Sequence, residues 1–244
     1  MAERGDRAAF YALSPGGWRD YWTLLHPPYT LWHLSYVAIG ASLAPEVNVR
    51  WLLETAAAFF LAMGVAAHAL DELHGRPLRT RIPDGALVAL AMVGLGGAIA
   101  LGVHGTLEVS PWLWAFIATG GFLVVAYNLE LFGGAFHSDL WFALAWGAFP
   151  VLTAAFAQTG RVSVAAVTAA AACAAISSAQ RVLSTPVRRL RRVVRSVRGE
   201  LELADGTTEA LDARSLRSAP EGALRWLSLG MPLLAAALLI SRLA

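Results

Sequence analysis

Seven stretches of the chain are apolar for long enough to cross a bilayer, and the polar residues between them are unevenly shared. The stretches run roughly over 29–45, 51–70, 86–104, 111–130, 138–158, 162–181 and 223–241. A spanning helix takes about 20 such residues. The sixth, "VSVAAVTAAAACAAISSAQ", is rich in alanine and serine, and the third contains "GLGGAIALG". Small residues of this kind let helices approach closely in lipid. Tryptophan and tyrosine fall at many segment ends, among them Trp18, Tyr29, Trp51, Trp112, Trp141 and Trp226. Their amphipathic rings favour the membrane interface. The pattern predicts an all-α, polytopic membrane helix bundle of about seven transmembrane helices.

The polar pattern adds an orientation. Arg76, Arg79 and Arg81 follow the second stretch, and Arg181, Arg188, Arg189, Arg191, Arg192, Arg195 and Arg198 cluster after the sixth. The loops at 46–50, 105–110 and 158–161 hold at most one arginine each. The positive-inside rule therefore places the N-terminus and both arginine-rich loops in the cytoplasm, as in a multi-pass protein of the cell's inner (plasma) membrane. Residues 1–28 are expected to form an N-terminal cytoplasmic or interfacial segment and 29–186 a six-helix core. Residues 187–221 read as a small polar cytoplasmic insert, and 222–244 as a last spanning helix. Within the insert, "GELELADGTTEAL" alternates around Asp205-Gly206 and reads as a hairpin, preceded by a basic helix.

Composition narrows the class. Of 244 residues, 57% are hydrophobic and 15% charged, whereas a soluble domain carries about 25% charged residues. Residues 1–28 lack the short apolar core and small-residue cleavage site of a signal peptide. The single cysteine, Cys173, allows no intrachain disulfide and reads as a small packing residue. No lysine occurs, so arginine carries little extra meaning by itself, and a net charge of +2 gives no reason to expect a nucleic-acid partner.

With orientation set, the unusual polar residues share a depth. His33 lies a turn inside the first helix, and His68, Asp71, Glu72 and His74 end the second. Asn128 and Glu130 end the fourth, while His137 and Asp139 begin the fifth. Of six histidines only His104 falls on the other side. Ionisable groups near the bilayer centre cost of order 2.5–3.5 kcal/mol, less toward the ends, and usually face a cavity. His68 stands three residues before Asp71 and four before Glu72, so the three share a helix face. Such a face can hold a divalent ion or fix an imidazole by a carboxylate.

These residues resemble the UbiA superfamily of intramembrane prenyltransferases, helical enzymes that move a polyprenyl group from its diphosphate onto an acceptor. The family's second helix ends in Asn-Asp-x-x-Asp-x-x-x-Asp, followed by Arg-Thr and a Pro-x-Gly turn. Here "AHALDELHGRPLRTRIPDG" supplies Asp71 at the central acid, Arg79-Thr80, and Pro83-Asp84-Gly85. "LLHPPYTLWHLSYVAIGASLAP" resembles the family's first helix, and "YNLELFGGAFHSDLWFALAWG" its fourth-to-fifth connection, so the likeness covers about residues 20–186. Three features depart from it. Ala67, His68 and Gly75 replace the other motif residues, "SSAQRVLSTPVRRLRR" has no carboxylate where a second acidic motif belongs, and seven helices stand for nine.

Three readings follow from the resemblance and the residues. In the first, a prenyltransferase holds one Mg²⁺ on Asp71 and Glu72, with His68. Arg76, Arg79 and Arg181 clamp the diphosphate of a polyprenyl diphosphate in place of a second ion, and Tyr127, Asn128 and His33 line the substrate site. Glu130, His137 or Asp139 positions or deprotonates the acceptor. In the second, the scaffold only binds an isoprenoid lipid or helps assemble a neighbour. In the third, imidazoles and carboxylates hold Zn²⁺ or Fe²⁺, which they suit better than magnesium, in a lipid-modifying enzyme. All three imply contact with membrane lipids and leave the oligomeric state open.

Overall fold

A computed structural model describes residues 7–244; the first six residues of the expected N-terminal segment lie outside the described residues. The order is α1 (Trp18–Leu24), α2 (Pro27–Ala41), α3 (Val49–Leu73), α4 (Asp84–Glu108), α5 (Leu113–Asn128), α6 (Asp139–Thr159) and α7 (Val164–Arg192). A two-stranded hairpin of β1 (Gly199–Glu202) and β2 (Thr208–Leu211) follows, and then α8 (Ala213–Leu243). Side-chain caps fix four of the eight helix starts. Asn48, Ser138 and Ser163 accept from the backbone N–H three residues on, and Asp212 forms a reciprocal box with Ser215.

Five helices, α3, α4, α6, α7 and α8, are long and apolar enough to cross a membrane, and the chain is a multi-pass, mostly helical membrane protein. The expected stretches near 29–45 and 111–130 correspond to shorter helices, α2 of 15 residues and α5 of 16. At 1.5 Å per residue these reach about 22–24 Å, short of the roughly 30 Å hydrocarbon core. For α2 the reason lies in its surroundings. It is the central helix, with Trp32, Tyr36, Val37 and Ala41 fully buried against α6, α7 and α8, so protein covers its backbone. Trp32 Nε1 donates to the Tyr36 hydroxyl at 2.7 Å, and Ser177 of α7 donates to the same oxygen at 3.2 Å.

Helix α7 departs from its sequence-predicted end. The chain does not leave the helix near residue 181 but continues as one helix to Arg192, through Pro186. Proline removes only one hydrogen bond, which neighbours in a bundle tolerate. Helix α8 likewise begins ten residues before the predicted 223. It is held by Glu221, whose buried carboxylate takes two bonds from Arg191 at 2.7 and 2.8 Å and one from Arg225 at 3.1 Å. The hairpin pairs Gly199 with Leu211 through Glu202 with Thr208, and Gly206 at φ +81° closes its turn.

Two helices change pitch partway. α3 is π-helical over Phe60–Ala67 and α6 over Ala143–Ala148. Such bulges often accompany functional sites, because the wider turn redirects side chains. Gly147 lets the second bulge press on α7, where an added Cβ would stand 2.7 Å from the Cys173 carbonyl oxygen.

Candidate functional site

The start of α2, the end of α3, the end of α5, the start of α6 and the last turns of α7 meet around one polar cavity of about 150 Å³. His33, His68, Asp71, Tyr127, Asn128, His137 and Arg181 all face it. Residues that sequence reasoning had left aside face it too: His26, Gln180, Arg188 and Arg192.

Its imidazoles share one arrangement. His26 Nδ1 lies 2.7 Å from the Leu24 carbonyl oxygen, His68 Nδ1 3.0 Å from that of Gly64, and His137 Nδ1 3.0 Å from that of Tyr127. A carbonyl only accepts, so Nδ1 is the donor in each. His26 occupies a left-handed backbone conformation, φ +47°, just before Pro27. That places its ring 4.1 Å from the His68 ring. Burial, aided by His68, holds the His26 pKa well below the usual 6.5 and keeps the ring neutral. His137 stacks on Tyr127 with ring centres 4.5 Å apart.

The cations lie on α7. Arg181, Arg188 and Arg192, with Gln180 and Ser184, follow the three-and-four spacing of one helix face. Arg181 donates to Asp139 at 2.8 Å and lies over the Phe142 ring. Arg192 donates to the Ala8 carbonyl. Arg188 donates to the Thr185 hydroxyl and forms no ion pair among the described residues.

Several predicted site residues lie elsewhere. Glu72, expected as a metal ligand, is fully buried and turned away from the cavity. Its oxygens accept from Leu78 N–H at 2.9 Å, Thr80 N–H at 2.8 Å and the Thr80 hydroxyl at 2.8 Å, so it builds the loop after α3. Asp20 does similar work by accepting from Arg81 N–H and Gly16 N–H. Arg76 is spent on the Thr80 and Ile82 carbonyls and on Asp84, and Arg79 on the Arg192 carbonyl; neither faces the cavity. Glu130 stands at the rim, 3.8 Å from His137 and 3.9 Å from His74. Asp139 is exposed, its side chain 74% accessible, and serves to orient Arg181.

This donor set was compared with the metals considered above. Magnesium prefers oxygen ligands in a near-octahedral shell, and with Glu72 consumed the cavity offers one carboxylate among the described residues, Asp71. Among the described residues, no three His, Cys, Asp or Glu side chains are grouped to hold one metal ion. The residues present do not fit a magnesium ion held by paired carboxylates.

A second cavity of about 120 Å³ lies between α3, α4, α5 and α6, lined by Phe59, Leu95, Ile99, Phe116, Ile117 and Phe149 among others. It is almost wholly apolar, and Glu54 is its one charged lining residue. The two cavities share Met63 and Trp146 in their walls. Each of these residues sits in one of the two π-helical segments. The bundle thus encloses a basic, hydrogen-bonding compartment against a greasy one, a shape complementary to an amphiphile with an anionic head. No protein-family model, curated protein or solved structure matches the chain.

Proposed function

We propose that the chain is a UbiA-like membrane prenyltransferase that holds a polyprenyl diphosphate, head in the polar cavity and tail in the apolar one, and passes the prenyl group to an acceptor. The observation that carries this reading is the wall that the two cavities share at Met63 and Trp146. Arg188, Arg192 and Arg181 act as the diphosphate clamp in place of the Arg76 and Arg79 expected from sequence. Guanidinium groups match phosphate oxygens in geometry and charge, and in a dry cavity they stabilise the negative charge that grows on the leaving group. Asp139 orients Arg181, and Asp71 and the imidazoles line the same cavity. In this reading α2 and α5 also span, giving seven crossings, and the positive-inside rule puts the polar cavity at the cytoplasmic face of the plasma membrane.

A second reading, binding without transfer, is favoured by one observation: among the described residues Asp71 stands alone as a cavity carboxylate. Both readings require the diphosphate to bind, and thermal unfolding of the purified chain in detergent tests that requirement. Ligand at a hundred times its Kd adds about 2.7 kcal/mol to native stability. Geranylgeranyl diphosphate is expected to raise the Tm more than geranylgeraniol or pyrophosphate alone, because each of those fills one compartment. Arg188→Gln is expected to weaken the diphosphate ligand by about tenfold or more, since a charge-assisted bond contributes roughly 1.5–3 kcal/mol. An equal response to all three ligands, or none to any, would overturn the reading.

A further inference from the structure

Helices supply most of the wall of the polar cavity. Ala8, Ala9, Phe10 and Tyr11 are the exception, four consecutive residues of a segment, 7–17, that forms neither helix nor strand. They lie where α2 begins and α7 ends. Tyr11 packs on His26 and Tyr29, with ring centres 5.4 and 5.5 Å apart, and Phe10 packs on Tyr29 at 6.1 Å. Hydrogen bonds from the segment to the bundle are few. Arg191 donates to the Arg7 carbonyl at 3.1 Å, Arg192 Nε to the Ala8 carbonyl at 3.3 Å, and the Leu13 N–H donates to the Thr23 hydroxyl at 3.0 Å. Chain held this sparsely opens at low free energy. Gly16 and Gly17 join it to α1 at φ +124° and +61°, and an added Cβ at either would meet nothing within 4 Å. These glycines therefore serve the backbone and not packing, as hinge positions do. Beyond them the chain is fixed, because Asp20 accepts from both the Gly16 and the Arg81 N–H.

We propose that residues 7–15 form a lid over the polar cavity, hinged at Gly16–Gly17 and sealed by Phe10 and Tyr11, and that an anionic head group bound by Arg192 holds it shut. The proposal rests on the reading above for the identity of that head group, a diphosphate. A charged head does not pass through the apolar cavity without a large desolvation cost. It enters instead where the wall is not packed helix, under residues 7–15. Arg192 then couples the ligand to the lid. A guanidinium carries five N–H donors, and Arg192 gives its Nε to the Ala8 carbonyl, leaving its terminal nitrogens to a phosphate. One side chain thus holds both partners. A head group that fixes Arg192 also fixes the anchor of the lid, and by linkage a closed lid tightens the head group by the same factor. Closure expels water from the cavity as well, which strengthens each arginine–phosphate contact inside it.

The test uses the full chain in detergent with geranylgeranyl diphosphate. Two quantities are read: amide hydrogen exchange over residues 8–15, and the rate at which labelled ligand dissociates. Bound ligand is expected to slow exchange over 8–15 by about tenfold, within the usual range of coupling between two sites. Gly17→Val strains the hinge, because a β-branched residue disfavours positive φ, and it alters no residue of the cavity wall. It is expected to release the ligand about tenfold faster and to abolish the slowing of exchange. Tyr11→Ser removes the seal and is expected to do the same, so one variant stays informative if the other does not fold. Three results would overturn the lid. Exchange over 8–15 unchanged by bound ligand would make the segment a fixed wall, and exchange raised by it would make the segment a plug that the head group expels. Wild-type release in both variants would remove its hold on the ligand. If geranylgeranyl diphosphate does not bind, the prenyltransferase reading falls, and the same exchange measurement with pyrophosphate decides the lid: slowing keeps it, and no slowing removes it.

Discussion

Asp71 and Glu72 are neighbours on the last turn of α3, yet they belong to different regions of the molecule. Glu72 lies in the loop scaffold, fully buried and accepting three hydrogen bonds. Asp71 faces the cavity and makes no side-chain hydrogen bond or ion pair among the described residues. The same division recurs on α7, where Arg191 is locked to Glu221 while Arg188, three residues earlier, lines the cavity and forms no ion pair among the described residues. Buried polar groups that are satisfied hold the architecture. Those left open to the cavity define what it can bind.

If that division is right, substitutions on the two sides will be read by different measurements. The largest expected effect is at Glu221. Glu221→Gln removes the charge that compensates buried Arg191, whose Nε already lacks a partner. Breaking a buried pair by one partner costs about 3–5 kcal/mol, so a strongly lowered Tm in detergent is expected, with α8 loosened from α7. A Tm unchanged from wild type would show that α8 is held by apolar packing alone. Next comes Glu72→Ala, which orphans the Leu78 and Thr80 N–H groups. At about 1–3 kcal/mol per buried donor, a loss near 3 kcal/mol is expected, together with faster proteolysis across residues 74–83. A stable, protease-resistant Glu72→Ala protein would instead return Glu72 to the list of candidate ligands.

How much of this was legible in the sequence follows the same division. The helical class, the membrane and the end of the bundle where polar residues gather could all be read from apolar runs and arginine bias. The fates of Asp71 and Glu72 could not. Adjacent helical positions differ by about 100° around the axis, and which one meets the cavity depends on a loop that folds back to offer the N–H groups of residues 78 and 80. Arg188 and Arg192 were missed because the sixth apolar stretch ends near residue 181. A span ended there turns them into a solvated basic run, whereas a helix carried through Pro186 puts them in register with Arg181. The signal was present as the 181–184–188–192 spacing, but the apolar stretch was already long enough to span.

The smallest expected effect on stability, and the sharpest on ligand binding, lies at Asp71. Asp71→Asn preserves shape and breaks no contact to another described side chain, so the Tm of the free protein should move by no more than about 0.5 kcal/mol. Its effect on ligand separates two kinds of head-group site. The charges of Arg192 and Arg188 act on Asp71, so in an arginine clamp the carboxylate competes with the diphosphate for them. Removing its charge then leaves geranylgeranyl diphosphate bound as tightly or more tightly when divalent ions are chelated. In a metal-bridged site the same substitution removes the one cavity carboxylate available to the ion, and affinity falls only when Mg²⁺ is supplied. Titrating the wild type and Asp71→Asn with geranylgeranyl diphosphate, with EDTA and then with Mg²⁺, reads the difference as opposite signs. Weaker binding in Asp71→Asn confined to the Mg²⁺ arm would show that a single carboxylate suffices to seat the metal and would overturn the arginine clamp.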